Sequence, residues 1–433
     1  MKTILKHPTS IEIPRALQIL CKEAQESKDI GLIGDELIAL YTHWKHQGSD
    51  QIRLPNWRAS KKWFTQLESS GFLEEKSDLN VLKEDQLSFP DFLNGNIPFP
   101  QQRNTTFSFI DLFAGIGGFR MALQNLSGKC VFSSEWDKHA QNTYFRNYGA
   151  LPFGDIRRFT ADKISDFTIR KCVPSHDILC AGFPCQPFSH AGVSARRSLG
   201  QSHGFDCSTQ GTLFFDLIRI AKAIKPKVLF LENVRNLVSH DKGNTFQTIK
   251  KTIEEELGYS FNYSIVNARS VVPQKRVRCF MVCFRDENQT FEFPDFEGEP
   301  LALKTILESP EIVEKFTISD KMWAGHQRRT ATNKARGAGF TTYVADLNSP
   351  ANTIVARYWK DGKECLVPQE EGANPRTLTP RECARLQGYP ESFILPESKK
   401  YAYMQLGNSV VVPVVQRIGK KILETLQIKH NEI

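Results

Sequence analysis

The chain has 433 residues, 40% hydrophobic and 24% charged, which suits a globular protein with a real core and is long enough for two or three domains at roughly 150 residues each. Its formal net charge of +8 suits a polyanionic partner without singling one out. Ten scattered cysteines with no CxxC pair argue against a disulfide-stapled scaffold, a zinc ribbon and thioredoxin-like redox chemistry.

The opening residues, MKTILKHPTSIEIPRALQIL, lack a secretory-type apolar core with a small-residue cleavage site, and no apolar run approaches the roughly 18 residues that span a bilayer. A reduced, cytoplasmic protein is expected. Residues 1–80 read as a helical extension, with apolar residues at helical spacing in Ala16–Leu20 and Leu37–Trp44. Ser60 is a candidate N-cap for a helix carrying Lys61 and Lys62 in its first turn and stopping at Gly71. The extension is compatible with a helix-turn-helix, or with a small helical cap on the main domain. Residues 81–106, with Pro90, Pro98, Pro100 and Asn94-Gly-Asn, read as a linker. From Phe107, short apolar runs (Phe107–Phe113, Cys130–Ser134, Asp177–Ala181, Lys227–Leu231, Arg278–Phe284) alternate with helix-like segments such as Gly118–Asn125 and Leu213–Ala223. That rhythm predicts βαβ units and an α/β domain with a mostly parallel sheet over 107–298. A polar, basic, turn-rich stretch over 299–395 breaks it. Residues 396–433 then return to the first domain, with a strand-like Val410–Val412 and a final helix.

Four motifs carry chemistry. Asp111-Leu-Phe-Ala-Gly-Ile-Gly-Gly-Phe follows an apolar strand and opens a helix, where glycines permit a tight turn and close ligand approach. Any such turn favours glycine. The next strand, however, ends in Glu135-Trp136, a carboxylate placed for ribose hydroxyls and an indole able to flank adenine. Lacking both G-x-G-x-x-G and G-K-[ST], the turn suits an adenosyl ligand without a phosphate cradle, such as S-adenosylmethionine. Gly182-Phe-Pro-Cys185-Gln-Pro-Phe-Ser189 follows a parallel strand at the end where open α/β sheets bind ligands. Cys185 is there either a nucleophile or a buried structural thiol. Glu232-Asn233-Val234 ends a very apolar strand, giving a desolvated carboxyl that holds a proton, or a cap on the following turn. In Gln274-Lys-Arg276-Val-Arg278, alternate arginines face one anionic or carbonyl-bearing site, or form a solvated basic edge.

Two further blocks follow in order, Arg376-Thr-Leu-Thr-Pro-Arg-Glu-Cys-Ala-Arg-Leu-Gln-Gly-Tyr-Pro and Gln405-Leu-Gly407-Asn408-Ser409-Val-Val-Val-Pro413. Together the six resemble the signature of the DNA (cytosine-5) methyltransferase family, bacterial restriction-modification type. The resemblance implies a Rossmann-like, S-adenosylmethionine-dependent fold with a smaller target-recognition domain over 299–395. It implies double-stranded DNA as substrate, S-adenosylhomocysteine as product, no metal, a monomer, and a cognate restriction endonuclease as partner. The target cytosine would be flipped from the duplex. Cys185 would add to C6, Glu232 would hydrogen-bond or protonate N3, and Arg278, beside Arg276, would contact the O2 side.

For the donor, the resemblance implies Phe113 and Gly115 at the methionine part, Glu135 and Trp136 at ribose and adenine, Asp155 at the adenine, and Asn408 opposite. The stretch from Ser189 to Gly211 is expected to close over DNA, with Gln186, Ser189, Arg196 and Arg197 in contact; Gln210 stands where some relatives have an arginine and receives no role. Arg328, Arg329, Lys334 and Arg336 are a phosphate-binding cluster or a solvated face, and Thr353-Ile354 resembles the family's Thr-Leu pair. The loop after Ser189 and Ala356-Arg-Tyr-Trp-Lys-Asp-Gly resemble the Dcm subgroup, whose targets contain CC and GG. A tRNA cytosine-5 methyltransferase, and an enzyme whose extension also regulates transcription, stay open as alternatives.

Overall fold

The computed structural model describes residues 39, 42, 43, 97–102, 104–161, 164–184, 213–337 and 341–428. The helices expected in 1–80 therefore lie outside the described residues, apart from Ala39, Thr42 and His43, and so does most of the expected linker. The chain forms two compact units, Met1–Ser264 with Cys279–Glu292 and Ile422–Ile433, and Ile265–Arg278 with Phe293–Lys421.

The apolar runs become strands β1 (Phe107–Leu112), β2 (Gly128–Ser134), β3 (Ile178–Gly182), β4 (Val228–Val234), β5 (Asn262–Asn267) and β6 (Val277–Phe284), in the order β2-β1-β3-β4-β6-β5. β1 pairs in parallel with β2 and β3, and β3 with β4. Central strands of such a sheet are covered on both faces, hence the unbroken apolar sequence. Phe109, Ile110, Leu112 and Val228–Leu231 are fully buried. β5 is not among the runs expected from sequence, because NYSIVN mixes polar and apolar residues and Tyr263 and Ile265 stay exposed, as suits its place at the end of the strand order. Between strands lie α1 (Gly118–Gln124), α2 (Lys138–Tyr148) and α3 (Leu213–Ile224). Asp137 starts α2 by accepting the Ala140 N–H at 2.8 Å.

Since β2 lies on one side of β1 and β3 on the other, the direction of winding reverses between β1 and β3. The carboxyl ends of strands at such a switch point form a natural ligand crevice. Beside this layer, Phe132 and Phe153 stack at 4.9 Å and meet Phe159 edge-on. The described residues of the N-terminal segment join the same core. Thr42 Oγ1 accepts the Leu151 N–H at 2.9 Å, and the fully buried His43 reaches Ser133 Oγ at 3.3 Å.

The second unit contains α4 (Asp320–Ala335), α5 (Pro380–Leu386), α6 (Lys399–Asn408) and most of α7 (Val412–Thr425). Residues 396–421, expected with the first domain, cluster here instead. Gln387 Nε2 donates to Leu406 O at 2.7 Å, and Tyr389 bonds Ser409 at 2.8 Å. The strand expected at Val410–Val412 is corrected. Val412 opens α7 and donates its N–H to Gln387 O at 2.9 Å. A β-branched run reads as strand, but the following Pro413 lacks a ladder donor and suits a helix first turn. The three valines are instead buried, at 8%, 4% and 3% exposure. The block starting at Arg376 is also structural at its centre. Arg376 and Glu382 form a buried pair at 2.8 Å, and Glu382 closes a capping box with Thr379.

Candidate active site

The turn after β1 is left-handed at three points, with φ of 55° at Phe113, 55° at Gly115 and 83° at Gly117. For a bulky residue such as Phe113 this backbone is costly, about 1–3 kcal/mol, and is held only where the surroundings impose it. The imposing contacts are visible. Ala114 N donates to Ser134 O at 3.0 Å, and Tyr148 OH donates to Gly117 O at 2.8 Å. A side chain at Gly117 would place Cβ 2.4 Å from the Tyr148 ring, whereas at Gly115 it would meet nothing within 4 Å. The turn is thus clamped on one face and open on the other.

Glu135, 8% exposed, forms the wall of that opening. Its two carboxylate oxygens accept the N–H groups of Gly115 and Asp137, each at 2.8 Å. Burial pushes its carboxyl above the usual range, against the pull of those two N–H groups. Trp136 next to it is 71% exposed, an indole face available for stacking. Residues 153–155 run beside this edge, because Glu135 N donates to Phe153 O at 2.8 Å and Ser134 Oγ to Gly154 O at 2.7 Å. Asp155 is chelated by the Arg157 guanidinium; burial would raise its carboxyl, but the Arg157 hydrogen bonds and charge hold it below the ordinary value.

Under the turn, Asp111 is fully buried, and desolvation pushes its carboxyl well up, against the Arg120 charge. Arg120 donates to Gln124 and Tyr144 at 3.2 Å and lies over the rings of Tyr144 and Tyr148. Sequence marks Asp111 only as the start of a motif. It assigns nothing to Arg120, whose one signal is a charge in an otherwise apolar segment.

At the neighbouring strand end, the parallel register sets Glu232 opposite Gly182. A Cβ on Gly182 would sit 3.5 Å from Glu232 Oε2, an ordinary van der Waals distance, so the carboxylate lies directly beside this strand end. Glu232 is 9% exposed. The desolvation expected from sequence is thus present. Asn233, to which sequence gives no role of its own, donates from Nδ2 to Phe183 O at 3.0 Å and fixes the segment that leads to Cys185. Its signal is a polar amide at the end of an otherwise apolar strand. Cys185 itself, with Gln186, Ser189, Arg196 and Arg197, lies outside the described residues.

In the second unit the two arginines part company. Arg276, 2% exposed, donates from Nη1 to Ile354 O at 3.1 Å and from Nη2 to Gly407 O and Ser409 O at 3.0 and 2.7 Å. It does serve carbonyls, but those of its own backbone. Arg278 is half-buried and donates to Val277 O at 2.9 Å. Asn408, the exposed last residue of α6, follows Gly407, where a Cβ would strike Val355 C at 2.3 Å. Thr353 Oγ1 donates to Lys275 O at 2.8 Å. Arg328 is exposed on α4, while Arg329 pairs with Asp361 at 3.4 Å.

The first unit therefore offers a strained turn open over Gly115, a buried carboxylate, an exposed indole, and a second acid at the adjoining strand end. Among the described residues no group of His, Cys, Asp and Glu could hold a metal ion, and no helix is long and apolar enough to cross a membrane.

A family model described as C-5 cytosine-specific DNA methylase matches residues 107–424. The type II methyltransferase M.SsoII of Shigella sonnei is 47% identical over 351 residues, 78% of this chain and 85% of that protein. Type II methyltransferase M.HpaII of Haemophilus parainfluenzae is 39% identical over 374 residues, 82% of this chain and 99% of its own. The DNA-cytosine methyltransferase of Escherichia coli K12 is 40% identical over 380 residues, covering 75% and 80%. Among solved structures, the S. pombe Dnmt2 methyltransferase covers 74% of this chain and 99% of its own at a TM-score of 0.57 and 19% identity, a likeness of fold.

Proposed function

The chain belongs to the C-5 cytosine-specific DNA methylase family, and on that premise we propose that Cys185 attacks an extruded cytosine while S-adenosylmethionine is held at the turn of Phe113. The enzyme methylates cytosine at C5 in DNA. The observation that carries our site assignment is the switch point between β1 and β3. One strand end supplies the turn open over Gly115, and the other leads to Cys185 three residues beyond the Gly182–Glu232 pair.

When bound, S-adenosylmethionine supplies an electrophilic methyl group. Phe113 and Gly115 would hold its methionine part, and Glu135, whose oxygens keep lone pairs beyond the two N–H groups they accept, would take the ribose hydroxyls. Trp136 would stack on the adenine and Asp155 would meet its edge, with Asn408 as a further contact to the donor. On the substrate, the Cys185 thiolate bonds to C6 and the C5–C6 electron pair moves toward C5. Glu232 shares a proton with N3, and Arg278 donates to O2. Once C5 has used that electron pair to take up the methyl group, loss of the C5 proton to a base and departure of the Cys185 thiolate from C6 would restore the aromatic ring as 5-methylcytosine. Splitting the substitution in this way avoids direct attack by an electron-poor ring. Arg276 acts one step back, as a positioning residue for the backbone around Asn408.

Contacts of Gln186, Ser189, Arg196, Arg197, Arg328, Arg329 and Thr353 with duplex DNA, a monomeric state, and a cognate endonuclease sharing the target complete the reading. Tritiated donor offered with duplex DNA and with tRNA tests the whole: label enters DNA. Wild type is expected to trap a covalent adduct on 5-fluorocytosine DNA, and Cys185→Ser to abolish transfer. Label confined to tRNA, or full turnover by the serine variant, would overturn the assignment. Bisulfite sequencing of DNA from expressing cells identifies the target.

A further inference from the structure

Within the second unit a cavity of about 290 Å³ is lined by Lys315, Phe316, Trp359, Lys360, Lys399 and Lys400, among others. All four lysines are exposed. Their ammonium groups stand over aromatic faces: Lys399 lies 4.1 Å from the Phe316 ring centre, and Lys400 and Lys360 lie 5.2 and 5.6 Å from that of Trp359. Among the described residues none of the four has a carboxylate partner. Asp361, the acid among the lining residues, is paired with Arg329 at 3.4 Å.

Scattered surface lysines are ordinary; convergence of four uncompensated ones on a concavity is not. Lys399 and Lys400 moreover occupy the first turn of α6, which has no acidic residue there and no side-chain cap. Cations at a helix N-terminus oppose the helix dipole, while an anion there is favoured by it. The ring contacts restrict the ammonium groups near the cavity, reducing the entropy lost when they bind. Such an arrangement is self-repelling until a negatively charged group enters.

We infer that this cavity is a seat for a phosphodiester of the DNA backbone, one that adds affinity without reading sequence. The inference rests on the DNA methyltransferase assignment. Phosphate contacts of this kind position a protein on the duplex, and they reveal themselves through counterion release.

The test begins with methyl transfer by the wild-type enzyme to duplex DNA; absence of transfer would sink the functional assignment rather than the seat. Binding of a target duplex and an unrelated duplex is then measured by fluorescence anisotropy across salt concentrations. For the Lys399→Gln/Lys400→Gln variant, the slope of log K against log salt should shrink by about 0.9 for each phosphate no longer neutralised, equally on both duplexes. The Lys399→Arg/Lys400→Arg variant should keep the slope, as should Lys251→Gln, which removes one exposed charge from the first unit. An unchanged slope in the double glutamine variant, an equal fall in Lys251→Gln, or a weakening confined to the target duplex would overturn the seat. So would saturable binding of inorganic phosphate that the glutamine variant abolishes while its salt slope stays intact, because the cavity would then serve a free anion.

Discussion

Phe113 and Gly117 concentrate the local strain of the turn after β1. Both are left-handed, yet only Gly117 has a neighbour that forbids a side chain. Gly117→Ala should therefore cost at least the about 1–3 kcal/mol of a strained backbone, before any displacement of Tyr148 is counted. A lower denaturant midpoint together with weaker donor binding is the expected result, read by chemical unfolding and calorimetry. Glu232 presents the opposite case, since the role proposed for it is chemical rather than steric. Glu232→Gln should slow single-turnover methylation by about 10²–10⁴-fold, the usual range for removal of a catalytic acid, with donor affinity unchanged. Equal falls in rate and donor affinity would mean that the carboxylate is structural.

Elements set these side chains where they act. The β3–β4 register brings Glu232 beside Gly182, and Asn233 ties the next carbonyl. Asn233→Ala removes a hydrogen bond worth about 1 kcal/mol and frees the segment ahead of Cys185. Slower turnover at unchanged donor affinity is expected from stopped-flow and binding data. The helical residues at 42–43 brace the segments leading to Phe153 and Glu135, since Thr42 holds Leu151 and His43 holds Ser133, two residues before each respectively. Thr42→Val should weaken donor binding without changing duplex affinity. These contacts suit a helical segment packed on the main domain, one of the two readings that the sequence leaves open. Elements with one strong pattern are legible in sequence, as β1, β3 and β4 show. β5 and Val410–Val412 are not, because partial exposure blurs the pattern of the one and burial without pairing imitates a strand in the other.

At the scale of the whole molecule, acid sensitivity should trace in part to His176, buried in the turn before β3. Burial pushes its ring down to about 4, and the hydrogen bond to Pro174 O at 2.8 Å only partly opposes this. Since the unfolded chain takes up the proton near pH 6.5, stability is complete above that value and declines as pH falls toward 4. A shift of this size corresponds to about 3 kcal/mol across the window. Denaturant midpoints measured between pH 7 and 4 should fall accordingly, and His176→Gln should flatten the dependence.

Apolar strands, glycine turns and the order of the blocks were determined by sequence, because short-range sterics and burial periodicity are written locally. Sequence also supplied the candidates for the reactive residues, since thiol, carboxyl and guanidinium chemistry travels with the side chain. Tertiary structure alone decided how each polar group is used. Arg276 and Arg278, two residues apart, look equivalent in the chain, yet one is enclosed by three carbonyls contributed by distant segments. The four lysines of the cavity come from three separated stretches, and their convergence arises only when long-range packing sets those stretches side by side.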